Sequence, residues 1–203
     1  ALALRREGVA NVVLLDRSPA GCEGPWETYA RMRELRTPKI SVGLETGIPS
    51  LSAQAWYEAR YGAAAWAAIQ RVPRHDWMAY LRWYRGVVDL PIRNEVAVEG
   101  IAPDNEVLAL AARSPAGSET VLARRVVLAT GFDGNGRWAI PAFIEQAVPP
   151  ERLVHSNTVF DLARLAGKRV GILGHGASAF DLAAAALDAG ATSVDLCYRR
   201  EQV

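Results

Sequence analysis

One stretch of the chain, residues 168–200, reads KRVGILGHGASAFDLAAAALDAGATSVDLCYRR, and the remaining sequence is best interpreted from it. It begins with a short apolar run, Val170–Leu173, whose length and β-branched content are typical of a buried parallel strand. The glycine turn Gly174–Ala179 follows, with the pattern G-x-G-x-x-A, and then an alanine-rich helix is predicted over Ala179–Ala189. After a glycine, the chain returns as a second strand over Ser193–Tyr198. The stretch therefore predicts a strand–helix–strand unit with glycines between the first strand and the helix.

The glycine turn has the spacing that a dinucleotide-binding site requires. Gly174 permits the tight turn, Gly176 leaves no side chain between the backbone and a pyrophosphate, and Ala179 lets helix and strand pack closely. Ala177 and Ser178 lie in the turn just before the predicted helix, whose free N–H groups and positive dipole end attract phosphate. Because the flanking strands and the helix are all present, these five residues are the predicted dinucleotide-binding residues of this unit.

The end of the second strand predicts which dinucleotide is bound. Sites for NAD place an Asp or Glu there to bind the ribose 2′-hydroxyl, whereas this chain has Tyr198 followed by Arg199 and Arg200. A carboxylate would repel a 2′-phosphate, and two guanidinium groups can bind it in a bidentate manner. We therefore expect a preference for NADPH. The alternative is that both arginines are an ordinary solvated pair after a strand.

Composition sets broad limits on the class of protein. The chain has 203 residues, 50% of them hydrophobic, and a net charge of +1, which suits one or two soluble domains. The balanced charge argues against binding to nucleic acid or to an acidic membrane surface, and no apolar run has the length of a membrane span. Cys22 and Cys197 form no C-x-x-C pair and indicate neither a zinc site nor a redox dithiol. We expect a cytoplasmic protein.

Part of the same unit recurs at the beginning of the chain. Residues 8–17 match residues 190–199 at a constant offset of 182 positions, which indicates an internal repeat of one supersecondary unit. A helix is expected over Ala1–Glu7 and a strand over Asn11–Leu15. By the same offset, the first copy of the glycine turn would precede residue 1, so the chain looks like a fragment.

The two copies end in residues of opposite charge. The first strand ends at Asp16, which suits a ribose with two free hydroxyls, whereas the second ends in the arginines described above. The pair predicts one FAD site and one NADPH site. A loop with glycine and proline then leads to Trp26, and this order resembles the flavin-containing monooxygenases. With Asp16 and Arg17 at the strand end, the resemblance makes Gly24 and Trp26 the remaining FAD-binding residues of this loop.

Further along, the pattern resembles the wider group of flavoproteins with two dinucleotide sites. A strand is expected over Pro91–Val98, and a hairpin over Glu106–Ala112 and Thr120–Ala123; together they resemble the small antiparallel meander that these proteins insert in the FAD domain. An apolar strand over Ala123–Ala129 is closed by Thr130-Gly131, and the resemblance places the backbone of this pair against FAD. The alternative is a strand that simply ends at glycine.

Residues 51–85 are rich in aromatic residues at helical spacing. Ser52 is expected to cap a helix that continues through Ile69, Pro73 to interrupt it, and Asp76 to cap a second helix. An aromatic stripe at this spacing is typical of core packing. No cofactor site is therefore assigned to these helices.

The predicted fold class is α/β, with two Rossmann-like three-layer nucleotide-binding domains of the FAD/NAD(P)-binding type, a small antiparallel meander, and truncation at both ends. A partial FAD-binding domain is expected over residues 1–136 and a partial NADPH-binding domain over residues 137–203. The segment 134–150, rich in Gly and Pro, is the expected linker. His155-Ser156 resembles a pair in the flavin-containing monooxygenases, but a lone histidine is more often structural, and no catalytic role is assigned to it.

The resemblance to flavin-containing monooxygenases implies an FAD- and NADPH-dependent oxidoreductase that uses O2. In that family hydride passes from nicotinamide to flavin, and a flavin C4a-hydroperoxide then oxygenates a soft nucleophile such as an amine or a sulfide. Because the flavin carries the chemistry, no catalytic residues and no metal site are assigned. Two alternatives stay open: an FAD-dependent pyridine-nucleotide reductase without oxygen insertion, and a nucleotide-binding fragment without activity. The expected partners are a small-molecule substrate and O2; whether the protein forms a homo-oligomer is open.

Overall fold

The computed structural model describes residues 1–131, 134 and 136–199. The chain divides into two compact units. The first consists of Ala1–Glu27 and Glu34–Gly134, and the second of Thr28–Arg33 and Asn135–Val203. The segment Thr28–Arg33, which follows the predicted FAD loop in sequence, therefore folds with the second unit.

A short parallel sheet lies in the first unit. Helix α1 (Leu2–Arg6) leads to strand β1 (Leu14–Leu15), which pairs in parallel with β2 (Ile92–Arg93). The strand predicted over residues 11–15 is shorter than expected, because backbone pairing begins only where the second strand supplies partners. The first such bond is donated by the Leu14 amide to the carbonyl before β2, at 2.9 Å.

An antiparallel meander follows in the same unit. Strands β3 (Ala97–Asp104), β4 (Val107–Ser114) and β5 (Gly117–Ala123) lie in that order, each paired with the next. The predicted meander is confirmed, but the strand expected over residues 91–98 is divided between β2 and β3. Between them Glu95 has a φ of 58°, a left-handed conformation that interrupts the extended chain.

The apolar strand predicted over residues 123–129 was a wrong prediction. Strand β5 ends at Ala123, and residues 124–130 lie outside any strand of the described chain. A buried parallel strand needs neighbours that pair with it and cover its apolar side chains. The described residues do not cover this segment, since Val127 and Leu128 are 75% and 73% exposed.

Three helices contribute most of the core of the first unit: α2 (Ala53–Tyr61), α3 (Ala63–Ala68) and α4 (Arg74–Val87). The hydroxyl of Ser52 accepts a hydrogen bond from the Ala55 amide at 3.1 Å. This bond satisfies one of the free N–H groups of the first turn of α2 and confirms the predicted cap.

Two helix boundaries differ from the prediction. The helix expected to continue through Ile69 ends at Tyr61, because Gly62 adopts a φ of 89° that no α-helix accommodates. The second helix begins already at Arg74, so Asp76 lies inside its first turn instead of capping it. There the Asp76 carboxylate accepts a hydrogen bond from the Tyr61 hydroxyl at 2.7 Å, and a negative charge near a helix N-terminus is favourable.

Aromatic side chains fill this core, as predicted for the stripe at helical spacing. Five of them from α2 and α4 are at least nine-tenths buried: Trp56, Tyr57, Trp77, Tyr80 and Tyr84. The hydroxyl of Tyr80 donates to the Leu51 carbonyl at 2.8 Å and accepts from the Leu44 amide at 3.1 Å, so its polar atom is satisfied. Burial raises the pKa of Tyr80 to about 12. The stripe has a packing role.

The second unit contains the predicted strand–helix–strand unit. Helix α5 (Ala142–Ala147) lies within the segment expected to be a linker. Strands β6 (Arg169–Leu173) and β7 (Ser193–Cys197) pair in parallel along their full length, and α6 (Ala177–Asp188) connects them. The glycine turn therefore lies at the carboxyl end of β6, where nucleotides bind in parallel sheets.

Small and branched side chains hold α6 against β6. Ile172 of the strand and Ala179 and Leu182 of the helix are buried together. The helix begins at Ala177, two positions earlier than predicted, with Gly176 as its N-cap. Early initiation brings the first free amides of the helix closer to the end of β6.

The internal repeat is visible in the backbone geometry. In both copies a helix ends at a glycine with positive φ, 81° at Gly8 and 90° at Gly190. In both, the glycine amide and the next amide bond back to carbonyls of the last helical turn, as in a Schellman-type end. The four bonds are Gly8 to Arg5 (3.0 Å), Val9 to Leu4 (2.9 Å), Gly190 to Leu187 (2.9 Å) and Ala191 to Ala186 (3.0 Å). Partners separated by 182 positions thus make equivalent bonds.

Candidate functional site

Two glycines of the turn in the second unit have different structural roles. Gly174 has a φ of 136°, which disfavours any side chain, and its amide donates to the Cys197 carbonyl at 2.9 Å. Gly176 has an ordinary φ of −77°, and a Cβ atom there would meet no heavy atom within 4 Å beyond its chain neighbours. Neither backbone strain nor packing requires glycine at 176. The open space in front of it fits the approach of a pyrophosphate.

The first turn of α6 supplies amide donors at the same place. An α-helix leaves its first N–H groups without intrahelical partners, and here the Ala179 amide bonds back to the Gly176 carbonyl at 2.9 Å. The amides of Ala177 and Ser178 are the first two of this helix. Because the helix has 12 residues, its aligned peptide dipoles place a partial positive charge at this end. The residues predicted for phosphate binding are therefore brought together around one helix terminus.

The end of β7 lies beside this turn. Tyr198 follows the last paired residue, is 48% exposed, and stacks on the ring of His175 with centroids 5.7 Å apart and planes 24° from parallel. Arg199 comes next and is exposed. Arg200, also predicted to bind the nucleotide, lies outside the described residues. Sequence reasoning missed His175, although its position between the two glycines was a signal that it belongs to the turn.

In the first unit Asp16 follows β1, as predicted, and closes a tight local turn. Its amide donates to the Arg93 carbonyl at 3.0 Å, and its carboxylate Oδ1 accepts from the Ser18 amide at 2.7 Å. An ionised carboxylate has about four acceptor positions. The bond from the Ser18 amide therefore orients the Asp16 carboxylate and leaves it able to accept hydrogen bonds from ribose hydroxyls. Arg17 is exposed at the next position.

A polar network anchors the loop after Asp16. The Ser18 carbonyl accepts from the Asn94 side chain at 3.0 Å and from the Glu95 amide at 3.1 Å. The same Asn94 amide group donates to Glu23 at 2.8 Å and its oxygen accepts from Arg85 at 2.7 Å, while Arg85 also forms an ion pair with Glu23. Burial acts to raise the pKa of Glu23, but the Asn94 bond, backbone donors and the Arg85 charge together lower it below its usual value.

Helix α4 holds the same loop at two further points. Arg82 donates to the Gly21 carbonyl at 2.9 Å and lies 3.6 Å from a Glu27 oxygen. Arg74, two turns earlier on the helix, donates to the Trp26 carbonyl. With Arg85, these arginines position the predicted FAD loop from one helix. Sequence reasoning assigned α4 to the core alone, because a hydrophobic stripe does not reveal which loop the polar face contacts.

Trp26 packs edge-to-face on Trp77 of α4, with ring centroids 6.3 Å apart at 80°. Gly24, two residues before it, has a φ of 78°. The Trp77 indole N–H is buried and has no hydrogen-bond partner in the part of the chain that the structure describes. A buried donor without an acceptor is costly and indicates a ligand or an ordered water at that position. This orphaned donor beside the loop fits a cofactor that supplies an acceptor.

The remaining predicted FAD contacts follow the meander. Thr130 is exposed, and Gly131 has a φ of 62° that favours glycine. They stand at the end of the segment that forms no strand, so their position relative to the Asp16 loop is not set by sheet pairing. Their role in binding stays a prediction.

His155 has a packing environment. Its Nδ1 accepts a hydrogen bond from the Asn157 amide at 3.2 Å, and its ring stacks on Trp138 at 5.4 Å and 26°. Tyr29, from the segment that folds with the second unit, contacts the other ring edge-to-face at 6.3 Å. These contacts show how His155 is packed, and that it has no catalytic role stays a prediction from the sequence.

Two searches of the described residues complete the inventory. No cluster of three or more His, Cys, Asp or Glu side chains within them has the arrangement of a metal site. No helix within them combines the length and apolar character needed to cross a membrane.

Comparison with protein families gives a match over residues 63–203 to the model described as L-lysine 6-monooxygenase/L-ornithine 5-monooxygenase. The chain belongs to this family. A curated relative, the FAD-dependent urate hydroxylase of Xanthomonas campestris pv. campestris, is 48% identical over 204 residues, which cover 98% of this chain and 42% of that protein. The predicted membership of the flavin monooxygenases is confirmed.

Three solved structures share the fold of this chain. The reduced ornithine hydroxylase of Pseudomonas aeruginosa has a TM-score of 0.78 at 18% identity, covering 97% of this chain and 49% of that one. The FAD-bound cadaverine monooxygenase of Erwinia amylovora has a TM-score of 0.74 at 21% identity, covering 99% and 49%. The bacillithiol disulfide reductase of Bacillus cereus has a TM-score of 0.72 at 18% identity, covering 100% and 55%. The predicted α/β nucleotide-binding fold is confirmed, and the chain spans about half the length of these proteins.

Proposed function

We propose that this protein is an FAD- and NADPH-dependent monooxygenase. The observation that carries the proposal is the pair of equivalent strand ends, one carrying a carboxylate and the other an arginine, in a chain of the lysine and ornithine monooxygenase family. The FAD-binding domain would extend over residues 1–136 and the NADPH-binding domain over residues 137–203. A cytoplasmic location stays a prediction from the sequence.

The second unit would bind NADPH through its glycine turn. The open space at Gly176 would admit the pyrophosphate to the amides of Ala177 and Ser178, where the helix dipole favours negative charge. Arg199, exposed at the end of β7, would pair with the 2′-phosphate. Arg200 would contribute a second guanidinium.

The first unit would bind FAD through the loop that α4 anchors. Asp16 would accept hydrogen bonds from the ribose hydroxyls of the adenosine half, and the orphaned Trp77 N–H fits an acceptor of the cofactor. Gly24 and Trp26 would lie along the cofactor, while Thr130-Gly131 would approach it by their backbone.

When bound, FAD would supply the redox chemistry, taking hydride from the nicotinamide and using O2 to oxygenate the substrate. The chain's own residues have the tasks of binding, orientation and water exclusion. The aromatic packing of Trp26 on Trp77 is suited to excluding water, and the arginines of α4 are suited to holding the loop in one geometry. No described side chain is assigned as an acid or base.

The proposed substrate class is a small amine. The family's name and two of the solved relatives refer to lysine, ornithine and cadaverine. A second candidate substrate is urate, favoured by the 48% identity to a urate hydroxylase, which is far higher than the identity to any of the amine-oxidising structures cited above.

The test is product analysis of the purified full protein with FAD, NADPH and isotopically labelled O2. Ornithine, lysine, cadaverine, urate and a dialkyl sulfide are offered separately, and hydrogen peroxide is counted with catalase controls. Labelled oxygen in one product supports the monooxygenase and identifies its substrate class. NADPH oxidation that yields only peroxide, with no labelled oxygen in any of these compounds, favours the reductase. A colourless protein that does not bind added FAD favours a nucleotide-binding module without activity.

A further inference from the structure

Two contacts join the glycine turn to the end of β7. One is the hydrogen bond from the Gly174 amide to the Cys197 carbonyl, at 2.9 Å. The other is the stacked pair formed by the next residue of each segment, His175 and Tyr198, at 5.7 Å and 24°. Two consecutive residues of the turn, Gly174 and His175, therefore contact two consecutive residues of the strand end, Cys197 and Tyr198.

The stack holds a part of the chain that the sheet does not. Tyr198 lies beyond the last paired residue of β7, and the residue is 48% exposed. His175, in contrast, stands between Gly174, whose amide is bonded to the strand end, and the N-cap of α6, so its backbone is constrained on both sides. A ring contact of this kind limits the conformations of the less constrained partner.

We propose that His175 is a positioning residue for recognition of the 2′-phosphate of NADPH. By stacking on Tyr198, it fixes the backbone immediately before Arg199 and so presents the guanidinium at the edge of the glycine turn. The inference rests on the proposed binding of NADPH by the second unit. His175, a residue of the glycine turn, would thereby contribute to discrimination between a ribose with a 2′-phosphate and a ribose with a free 2′-hydroxyl.

The experiment measures binding directly, without turnover. Isothermal titration of the full protein uses two probes, adenosine 2′,5′-bisphosphate and 5′-AMP, which differ by the 2′-phosphate alone. His175→Ala removes the stack, whereas His175→Phe keeps an aromatic ring there. We expect His175→Ala to reduce the preference for the bisphosphate about 3- to 10-fold, with 5′-AMP affinity nearly unchanged. We expect His175→Phe to retain most of the preference.

The chain offers a matched control in the same unit. His155 stacks on Trp138 with almost the same geometry, 5.4 Å and 26°, but belongs to no predicted binding segment. His155→Ala should leave the preference unchanged. Tyr198→Leu removes the stack from the other side and should reduce the preference for the bisphosphate as much as His175→Ala does. Agreement between the two variants would exclude a folding defect peculiar to one of them.

Three results would overturn the inference. An unchanged preference in His175→Ala would show that the stack does not position the arginine. An equal loss of affinity for both probes would show that His175 supports the glycine turn in general. Failure of His175→Phe to retain the preference would show that an aromatic ring at this position does not position Arg199. If the unaltered protein binds neither probe, the proposed NADPH site fails as well, so the two failures are distinguishable.

Discussion

At the scale of single residues, the two glycines of the turn separate a structural requirement from a functional one. Gly174 has a backbone conformation that other residues avoid, whereas Gly176 has an ordinary φ and empty space in front of it. A glycine that neither backbone conformation nor packing requires indicates that a ligand approaches the backbone at that position. Charged substitution at this position can therefore remove binding and leave the fold intact.

We expect Gly176→Asp to keep the stability of the protein and to abolish tight binding of NADP+. Asp is among the best N-cap residues, so α6 should be as stable or more stable. Its carboxylate would face the pyrophosphate, and like charges a few Å apart should weaken binding about 100-fold or more. Thermal unfolding and calorimetric titration measure the two effects.

Gly176→Asn is the matched control, since it has the same size and capping ability without the charge. It should lose about tenfold in affinity through steric hindrance alone. Tight binding of NADP+ by Gly176→Asp would show that the pyrophosphate does not approach this turn.

Arg199 tests the choice between the two nicotinamide nucleotides. Arg199→Ala removes a guanidinium that would pair with the 2′-phosphate, and a charge-assisted contact of this kind corresponds to about 10- to 100-fold in affinity. We expect NADPH binding to fall by that factor while NADH binding hardly changes. Titration of both nucleotides measures it, and equal losses for the two would remove the argument from the 2′-phosphate.

At the scale of elements, α4 acts both as a core helix and as a support for a loop. One side buries Trp77, Tyr80 and Tyr84, and its arginines bind carbonyl and carboxylate oxygens of the loop after Asp16. The side chains of the ion pair between Glu23 and Arg85 are only 23% and 27% exposed and share Asn94 as a partner, so the pair should contribute more than an isolated surface pair.

Glu23→Gln should lower the free energy of unfolding by about 1–2 kcal/mol at neutral pH, because it removes a charged hydrogen-bond partner from Arg85 and Asn94. The pKa of Glu23 is lowered in the folded protein, so its contribution is complete above the unfolded value and is lost as pH falls through the lowered pKa. The difference between the parent protein and Glu23→Gln should therefore shrink in acid, as urea unfolding at several pH values would show.

Glu34→Gln is the control for this prediction. Glu34 pairs with Arg71 at 3.3 Å, but both side chains are about half exposed, and such pairs contribute about 0–1 kcal/mol. Its effect should be smaller than that of Glu23→Gln. Equal effects of the two substitutions, or a Glu23 effect that does not change with pH, would contradict the role assigned to the network.

At the scale of the whole molecule, the chain has two compact units with one predicted nucleotide site each. Each ligand should therefore stabilise its own unit. In hydrogen exchange of the full protein, we expect FAD to slow exchange in the loop from Asp16 to Trp26, and NADP+ to slow exchange in the turn Gly174–Ala179. Protection of the same unit by both ligands would contradict the two-site assignment.

A control for that measurement comes from the meander. Strands β3 to β5 pair with one another in the first unit, and no predicted NADPH contact lies among them. Addition of NADP+ should leave exchange in these strands unchanged. Slower exchange there on addition of NADP+ alone would indicate a general effect on the fold and not a local site.

The sequence by itself determined the strand–helix–strand unit, the glycine turn, the repeat and the cap at Ser52. These features depend on residues that are neighbours along the chain: a periodic apolar pattern, a glycine where φ is positive, and a hydroxyl before a helix. Both copies of the helix end have the same hydrogen bonds because the same local pattern produces them. The strand predicted over residues 123–129 was wrong because an apolar run specifies a strand only where neighbours pair with it.

The tertiary structure alone decided how distant residues are brought together. It placed Arg85 beside Glu23, 62 positions away, stacked His175 on Tyr198, and assigned Thr28–Arg33 to the second unit. Side chains such as arginine and histidine have partners of many kinds, and their spacing along the chain does not indicate which partner they meet. That choice depends on the packing of whole elements, since long-range contacts form only where the buried surfaces of those elements have already fixed the distance between them.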